Sequence, residues 1–250
     1  MKRIKTLMLL MAATVSTVLF NSCDTDDENY NTRYAVAIVT LKNAETEGGK
    51  WFMQLSDSSV IYPQNMPENK YGDKERRAYI RFNDFRPLQT NGNIKTYSAE
   101  ILTVDTILTK TLSPMVPDDQ GNINEGNEKE YGADPVEIVN SWETCAEDGY
   151  LTLRIRTRFS HDGLHRLSLV HRTDANEPYL LEFYHNANGD VNGVVGDALV
   201  AFRLNYAFDK AEEPYEITLK WKSFSGEKTA KFKYTPRKND PYHITTPSRQ

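Results

Sequence analysis

Arg154, Arg156 and Arg158 recur at every second position of one short stretch of the chain. Successive side chains of an extended strand point to opposite faces, so these three guanidinium groups share a face at a spacing of about 7 Å. Such a row can grip a carboxylate-bearing or sulfated ligand, because a guanidinium meets an oxyanion with two parallel hydrogen bonds. A solvated face neutralised by acids of neighbouring strands, such as Glu182, is the plainer reading of the same pattern. Leu151, Leu153, Ile155 and Phe159 take the opposite, core-facing side.

Four of the five histidines, His161, His165, His171 and His185, fall within one short region. His165 and His171 share the parity of Leu167 and Leu169, but they stand about 20 Å apart along the strand and cannot share a metal ion. His185 approaches His165 if residues 164–172 and 179–184 pair as a hairpin. A metal site needs three or four converging ligands with a fixed second shell. These histidines are instead expected as packed or hydrogen-bonded groups at strand ends, with no metal. The oxygen-rich run from His185 to Gly193 superficially suggests a calcium loop. Counted from Asn188, however, position twelve is Leu199 where such a loop needs Glu. A tight turn fits better.

No nucleophile elbow, phosphate loop, dinucleotide fingerprint or H-E-x-x-H occurs, and no close acid pair stands out. No catalytic residue and no cofactor are therefore assigned. Cys145 lies between apolar positions with no histidine nearby in sequence, which reads as a buried, inert thiol. Trp51, Tyr62, Tyr71 and Tyr79 can stack on sugars if they are exposed; core packing is the competing reading. The speculative ligand face is thus Arg154, Arg156, Arg158, Trp51 and Tyr62.

The elements that position these residues read as strands almost throughout. Residues 33–41, 50–55, 60–62, 77–85 and 94–108 are β-branched or aromatic with period-two alternation, and Gly48-Gly49, Asp57-Ser58 and Asn91-Gly92 supply turns. Five such strands in about 80 residues suggest a small barrel. Residues 113–134 are rich in Pro, Gly, Asp and Asn and read as a linker, with a long hairpin loop within one domain as the alternative. Strands resume at 136–142, 150–159, 164–172, 179–184, 199–206, 216–224 and 228–234. They are separated by Asp148-Gly149, Asp162-Gly163, Asn188-Gly189 and Gly226, which reads as a β-sandwich. No amphipathic helix longer than about two turns is expected. Gly193 and Gly196 argue against helix in residues 190–201.

The start of the chain is an address. Lys2, Arg3 and Lys5 precede an apolar run over residues 6–20, then Ser22 and Cys23. This is the layout of a cleaved secretory signal, too short to span a bilayer. Acyl chains on Cys23 would anchor the chain to a membrane. Cleavage leaves 228 residues and moves the formal net charge from −5 to −8, since Lys2, Arg3 and Lys5 leave with no acid. So acidic a chain is a poor partner for nucleic acid. With Cys23 acylated, Cys145 stands alone, so core packing rather than a disulfide must hold the fold. The expected organisation is signal peptide 1–22, acidic tether 23–32, barrel 33–112, linker 113–134, sandwich 135–240 and tail 241–250.

Asp24, Asp26, Asp27 and Glu28 directly after Cys23 resemble the surface-export signal of Bacteroidetes lipoproteins, which implies the outer membrane and an outward-facing anchor. Further stretches, taken in order and spacing, resemble the NigD-like lipoproteins of that group. They are Val60-Ile61-Tyr62-Pro63, the run from Val104 to Lys110, the run from Gly132 to Val139 with Trp142, and His185-Asn186-Ala187-Asn188-Gly189-Asp190. The resemblance implies an OB-type N-terminal barrel and a C-terminal β-sandwich, all-β in class. It defines no catalytic residues. It implies a surface-associated lipoprotein without a settled role. Because OB barrels bind extended oligomers on a strand face and sandwiches bind at end loops, a non-enzymatic binding or accessory module for a glycan, peptide or protein partner is expected. Bacteriocin-related immunity is the alternative, and a polysaccharide-acting hydrolase the remaining one.

Overall fold

The computed structural model describes residues 34–43, 50–91, 94–160, 163–172, 177–204 and 214–236. The signal segment, Cys23, the acidic tether, Gly48-Gly49, Gly92, His161, Asp162 and the tail lie outside the described residues.

The first five strands are β1 (Ala35–Lys42), β2 (Phe52–Ser56), β3 (Ser59–Pro63), β4 (Arg76–Asn91) and β5 (Ile94–Thr106). They close a barrel in the order β1-β2-β3-β5-β4. β3 runs parallel to β5, and β4 runs antiparallel to β5 and β1. This is a five-stranded barrel of OB type. Its interior is the alternate set Val39, Leu41, Met53, Ile61, Ile80, Phe82, Ala99 and Ile101.

The sandwich has two sheets. One is built from β10 (Arg166–Arg172), β11 (Leu180–Asn186), β13 (Tyr215–Ser223) and β14 (Gly226–Tyr234). The other holds β6 (Leu108–Thr111), β12 (Val194–Arg203), β9 (Tyr150–Phe159) and β7 (Glu137–Ile138), with β8 (Cys145–Glu147) paired to β9. Leu151, Leu153 and Ile155 meet Leu167, Leu169, Leu181, Phe183, Phe202, Leu219 and Trp221 between the sheets. At Asp148-Gly149 and Asn188-Gly189 both turn residues take positive φ, as expected for Asn/Asp-Gly pairs. Residues 190–201 feed strand β12, not a helix.

Barrel and sandwich are fastened face to side. Ile38, Ile107, Tyr150 and Ala201 bury one another at the seam. Arg77, with none of its side chain exposed, donates to Glu147 (2.9 Å) and Thr40 (3.0 Å). Lys42 pairs with Asp148 at 3.0 Å, both buried. The Tyr150 hydroxyl donates to Glu75 (2.6 Å) and accepts from Arg203 (3.0 Å). β1 is therefore covered on both faces, and a strand so buried reads as a nearly unbroken run of small and branched residues.

Two features differ from the sequence expectation. The run 94–108 is not one strand: the chain leaves the barrel after Thr106, Ile107 enters the seam, and β6 pairs parallel to β12 in the sandwich. The stretch expected as a linker, 113–134, is built onto the sandwich. Ser113 bridges to Val170, and the helix α1 (Ile123–Tyr131) packs on β10 and β11. Asn122 caps the helix by accepting from the amides of Asn124 and Glu125. Asn127, fully buried, accepts from the Val116 amide at 2.8 Å. Hydrogen bonds rather than apolar burial fix this segment, so its polar composition does not reveal it.

Candidate functional site

The arginine row lies on one face of β9 as its spacing requires, and that face is largely neutralised. Asp197, opposite on β12, accepts from Arg154 (2.7 Å) and Arg156 (2.6 Å). Arg154 also reaches Glu143 at 3.2 Å. Hydrogen bonds from Arg156, then from Arg154, pull the Asp197 carboxyl down to about 2. Arg158 donates to the Gly193 carbonyl. The expected partner Glu182 lies on the other sheet, where it meets Arg172 at 3.4 Å and accepts from the Tyr184 hydroxyl at 2.8 Å.

The aromatic candidates separate. Trp51 is a barrel core residue whose indole donates to the Met66 carbonyl at 2.8 Å, with Tyr71 packed beside it. Tyr62 is half-buried against Phe52. The outer face of β2 and β3, where OB barrels bind extended ligands, is not open: Phe52, Gln54 and Val60 are buried. Trp51 and Tyr62 therefore do not join the arginines in one site. Tyr79 does. Its ring lies 5.9 Å from that of Trp142, which is 52% exposed. Its hydroxyl pKa is raised, first by burial and then by Glu143, while Arg81 and Arg154 act in the opposite sense. Arg81 in turn lies over the exposed Tyr34 ring.

A corner between the barrel and the β6-β12-β9-β7 sheet thus carries Tyr34, Tyr79, Arg81, Trp142, Glu143, and the Arg154–Asp197–Arg156 lattice. One further observation belongs to it: Glu143 Oε2 is buried without a hydrogen-bond partner among the described residues. Sequence reasoning missed Trp142, Arg81 and Asp197 here. Trp142 was the one with a local signal, since Asn140-Ser141 before it favours a turn, and turns lie at the surface.

His165, His185 and Asp190 form a buried chain. His165 Nδ1 lies 2.8 Å from His185 Nε2, and His165 Nε2 lies 3.4 Å from Asp190. Asp190 accepts from the amide and hydroxyl of Ser160. Burial, then His165, hold the His185 pKa below its usual value. His171 bonds the Pro178 carbonyl at 2.8 Å. Among the described residues no cluster of three or more His, Cys, Asp or Glu is set to hold a metal ion. The Ser160 hydroxyl is directed to a carboxylate and not to an imidazole, and burial pushes the Cys145 thiol up to about 12. A shallow cleft of about 110 Å³ lies between α1, β11 and β13. No described helix is long and apolar enough to cross a membrane.

Fold and site define an all-β protein, barrel plus sandwich, whose distinctive chemistry lies on a surface corner. Residues 119–234 match the model of the NigD-like C-terminal beta sandwich domain, so the sandwich part of the chain is NigD-like. The match begins within the segment that packs α1 onto the sandwich.

Solved structures share the fold. A Parabacteroides distasonis protein described as toxin-related is 24% identical, with 82% of this chain and 94% of that chain covered and a TM-score of 0.65. A NigD-like immunity protein from Bacteroides caccae is 20% identical over 84% of this chain and 100% of that one, TM-score 0.52. A Bacteroides fragilis protein described as a lipoprotein is 12% identical over 82% and 100%, TM-score 0.54. No curated protein matches the sequence.

Proposed function

We propose that this chain is a lipoprotein of the outer membrane, anchored through acyl chains on Cys23 and facing the exterior. It acts there as a non-enzymatic binding module whose binding face is the barrel–sandwich corner. The observation that carries the reading is Trp142: half-exposed, tilted against Tyr79, and bordered by Arg81 and the Arg154–Asp197–Arg156 lattice. Trp, Tyr and Arg are the residues that dominate binding hot spots, and ligand sites favour domain junctions. The basic, apolar, cysteine-terminated start supports the anchor, as does the fold shared with a protein described as a lipoprotein.

Immunity towards a bacteriocin is the second reading. The fold shared with a protein called a NigD-like immunity protein supports it. The test is a photo-reactive phenylalanine analogue placed at position 142 of the full chain in living cells. Illumination is expected to yield a discrete adduct. No adduct at position 142, with expression unchanged, refutes the binding-face reading.

A further inference from the structure

We infer that the open edge of β12 takes up an extended polypeptide segment as an added strand; this rests on the corner being the binding face, and it names the partner class. β12 pairs with β9 over all ten of its residues with no register shift. On its other side β6 pairs only with residues 200–203. Residues 194–199 make no backbone hydrogen bond on that side among the described residues. Every second residue of an antiparallel strand turns its N–H and C=O away from its partner. The stretch therefore presents donors and acceptors repeating at about 6.8 Å along a straight edge.

Proteins blunt such edges with Lys, Pro, bulges or a cover. β14, an edge of the other sheet, carries Lys228, Lys231 and Lys233. Val194-Val195-Gly196-Asp197-Ala198-Leu199 carries neither Lys nor Pro. Val194 is 70% and Val195 59% exposed. The carboxylate of Asp197 is already held by Arg154 and Arg156, so this edge asks no basic residue of its partner. The remaining part of the edge is used by the chain's own β6, which begins at the exposed Leu108; an added strand prolongs that line.

The occupant is a polypeptide, because only a main chain offers N–H and C=O alternating at this repeat. A glycan presents hydroxyls without that period. Its side chains next to Val194 and Val195 are apolar or β-branched, as cross-strand pairing favours.

Two measurements on the full chain in detergent, and one in cells, decide the matter. In the free protein, alternate amides of residues 194–199 are expected to exchange with solvent about as fast as loop amides. Protection of all six, or a dimer in light scattering that accounts for it, overturns the inference. The probe is a synthetic ten-residue peptide of alternating Thr and Val with Glu at each end. It is expected to slow those amides at least about tenfold, and N-methylation of its alternate residues or V195K in the protein is expected to abolish the effect. No slowing, or equal slowing by the N-methylated peptide, overturns it. In cells the photo-reactive analogue at position 195 is expected to capture the same species as position 142. Capture at 142 without capture at 195 sinks the edge and leaves the binding face standing; capture at neither sinks both.

Discussion

Arg77→Met tests whether a buried polar seam locks the barrel to the sandwich. The arginine is fully buried, donates to Glu147, Thr40 and Thr152, and stands over the Tyr150 ring. Methionine preserves much of the volume but strands the carboxylate. Removing one partner of a buried ion pair costs about 3–5 kcal/mol. The Glu147 side chain is 30% exposed, so water relieves part of the penalty and the expected loss is about 3 kcal/mol. At roughly 2–4 °C per kcal/mol for a chain of this length, the melting temperature falls by about 6–12 °C. Arg77→Met combined with Glu147→Leu removes the desolvation of both charges along with their attraction, and is expected within about 1 kcal/mol of the parent. Urea unfolding followed by tryptophan fluorescence suits the question, since Trp51 reports on the barrel and Trp221 on the sandwich. A loss below about 1 kcal/mol for the single variant, or a double variant no better than the single, refutes the seam as described.

Gly126→Ala reverses the usual sign of a helix glycine replacement: the new Cβ would stand 2.1 Å from the Val116 carbonyl oxygen. A thermal melt is expected to show a loss of about 1–3 kcal/mol from overpacking, where an open helix would gain. Because the folded pKa of His185 is depressed, the unfolded chain binds the extra proton first as pH falls. Stability from this group is whole above the unfolded value of about 6.5 and declines below it, down to the folded pKa. His185→Gln is expected to flatten that decline in denaturation curves taken across the same window; an unchanged slope counts against it. Cys145, raised to about 12 chiefly by burial, is expected to resist maleimide in the native protein and to react once urea unfolds it. Rapid labelling of the native thiol contradicts its placement.

Local pattern carried a great deal of this protein. Period-two alternation placed Leu151, Leu153 and Ile155 on one face of β9 and the three arginines on the other, because strand geometry fixes that division residue by residue. Asp148-Gly149 and Asn188-Gly189 announced their turns, since few other pairs take positive φ cheaply. The contact of His165 with His185 followed from pairing β10 with β11. What lies against a face is a different matter. Arg154 and Arg156 are neutralised by Asp197, more than forty positions away, and not by Glu182. The outer face of the barrel is covered by a sandwich sheet that nothing in β1 names. Trp51 is inside and Trp142 outside, although each directly follows a polar residue, Lys50 and Ser141. Residues 113–134 look like a linker and are instead pinned by Asn122, Asn127 and Gly126. Sequence determined the strands, their faces and their turns, because those depend on neighbours two to four residues apart. Only the tertiary structure decided which faces meet, which charges pair and which strand edge stays open, because those depend on atoms brought together from distant parts of the chain.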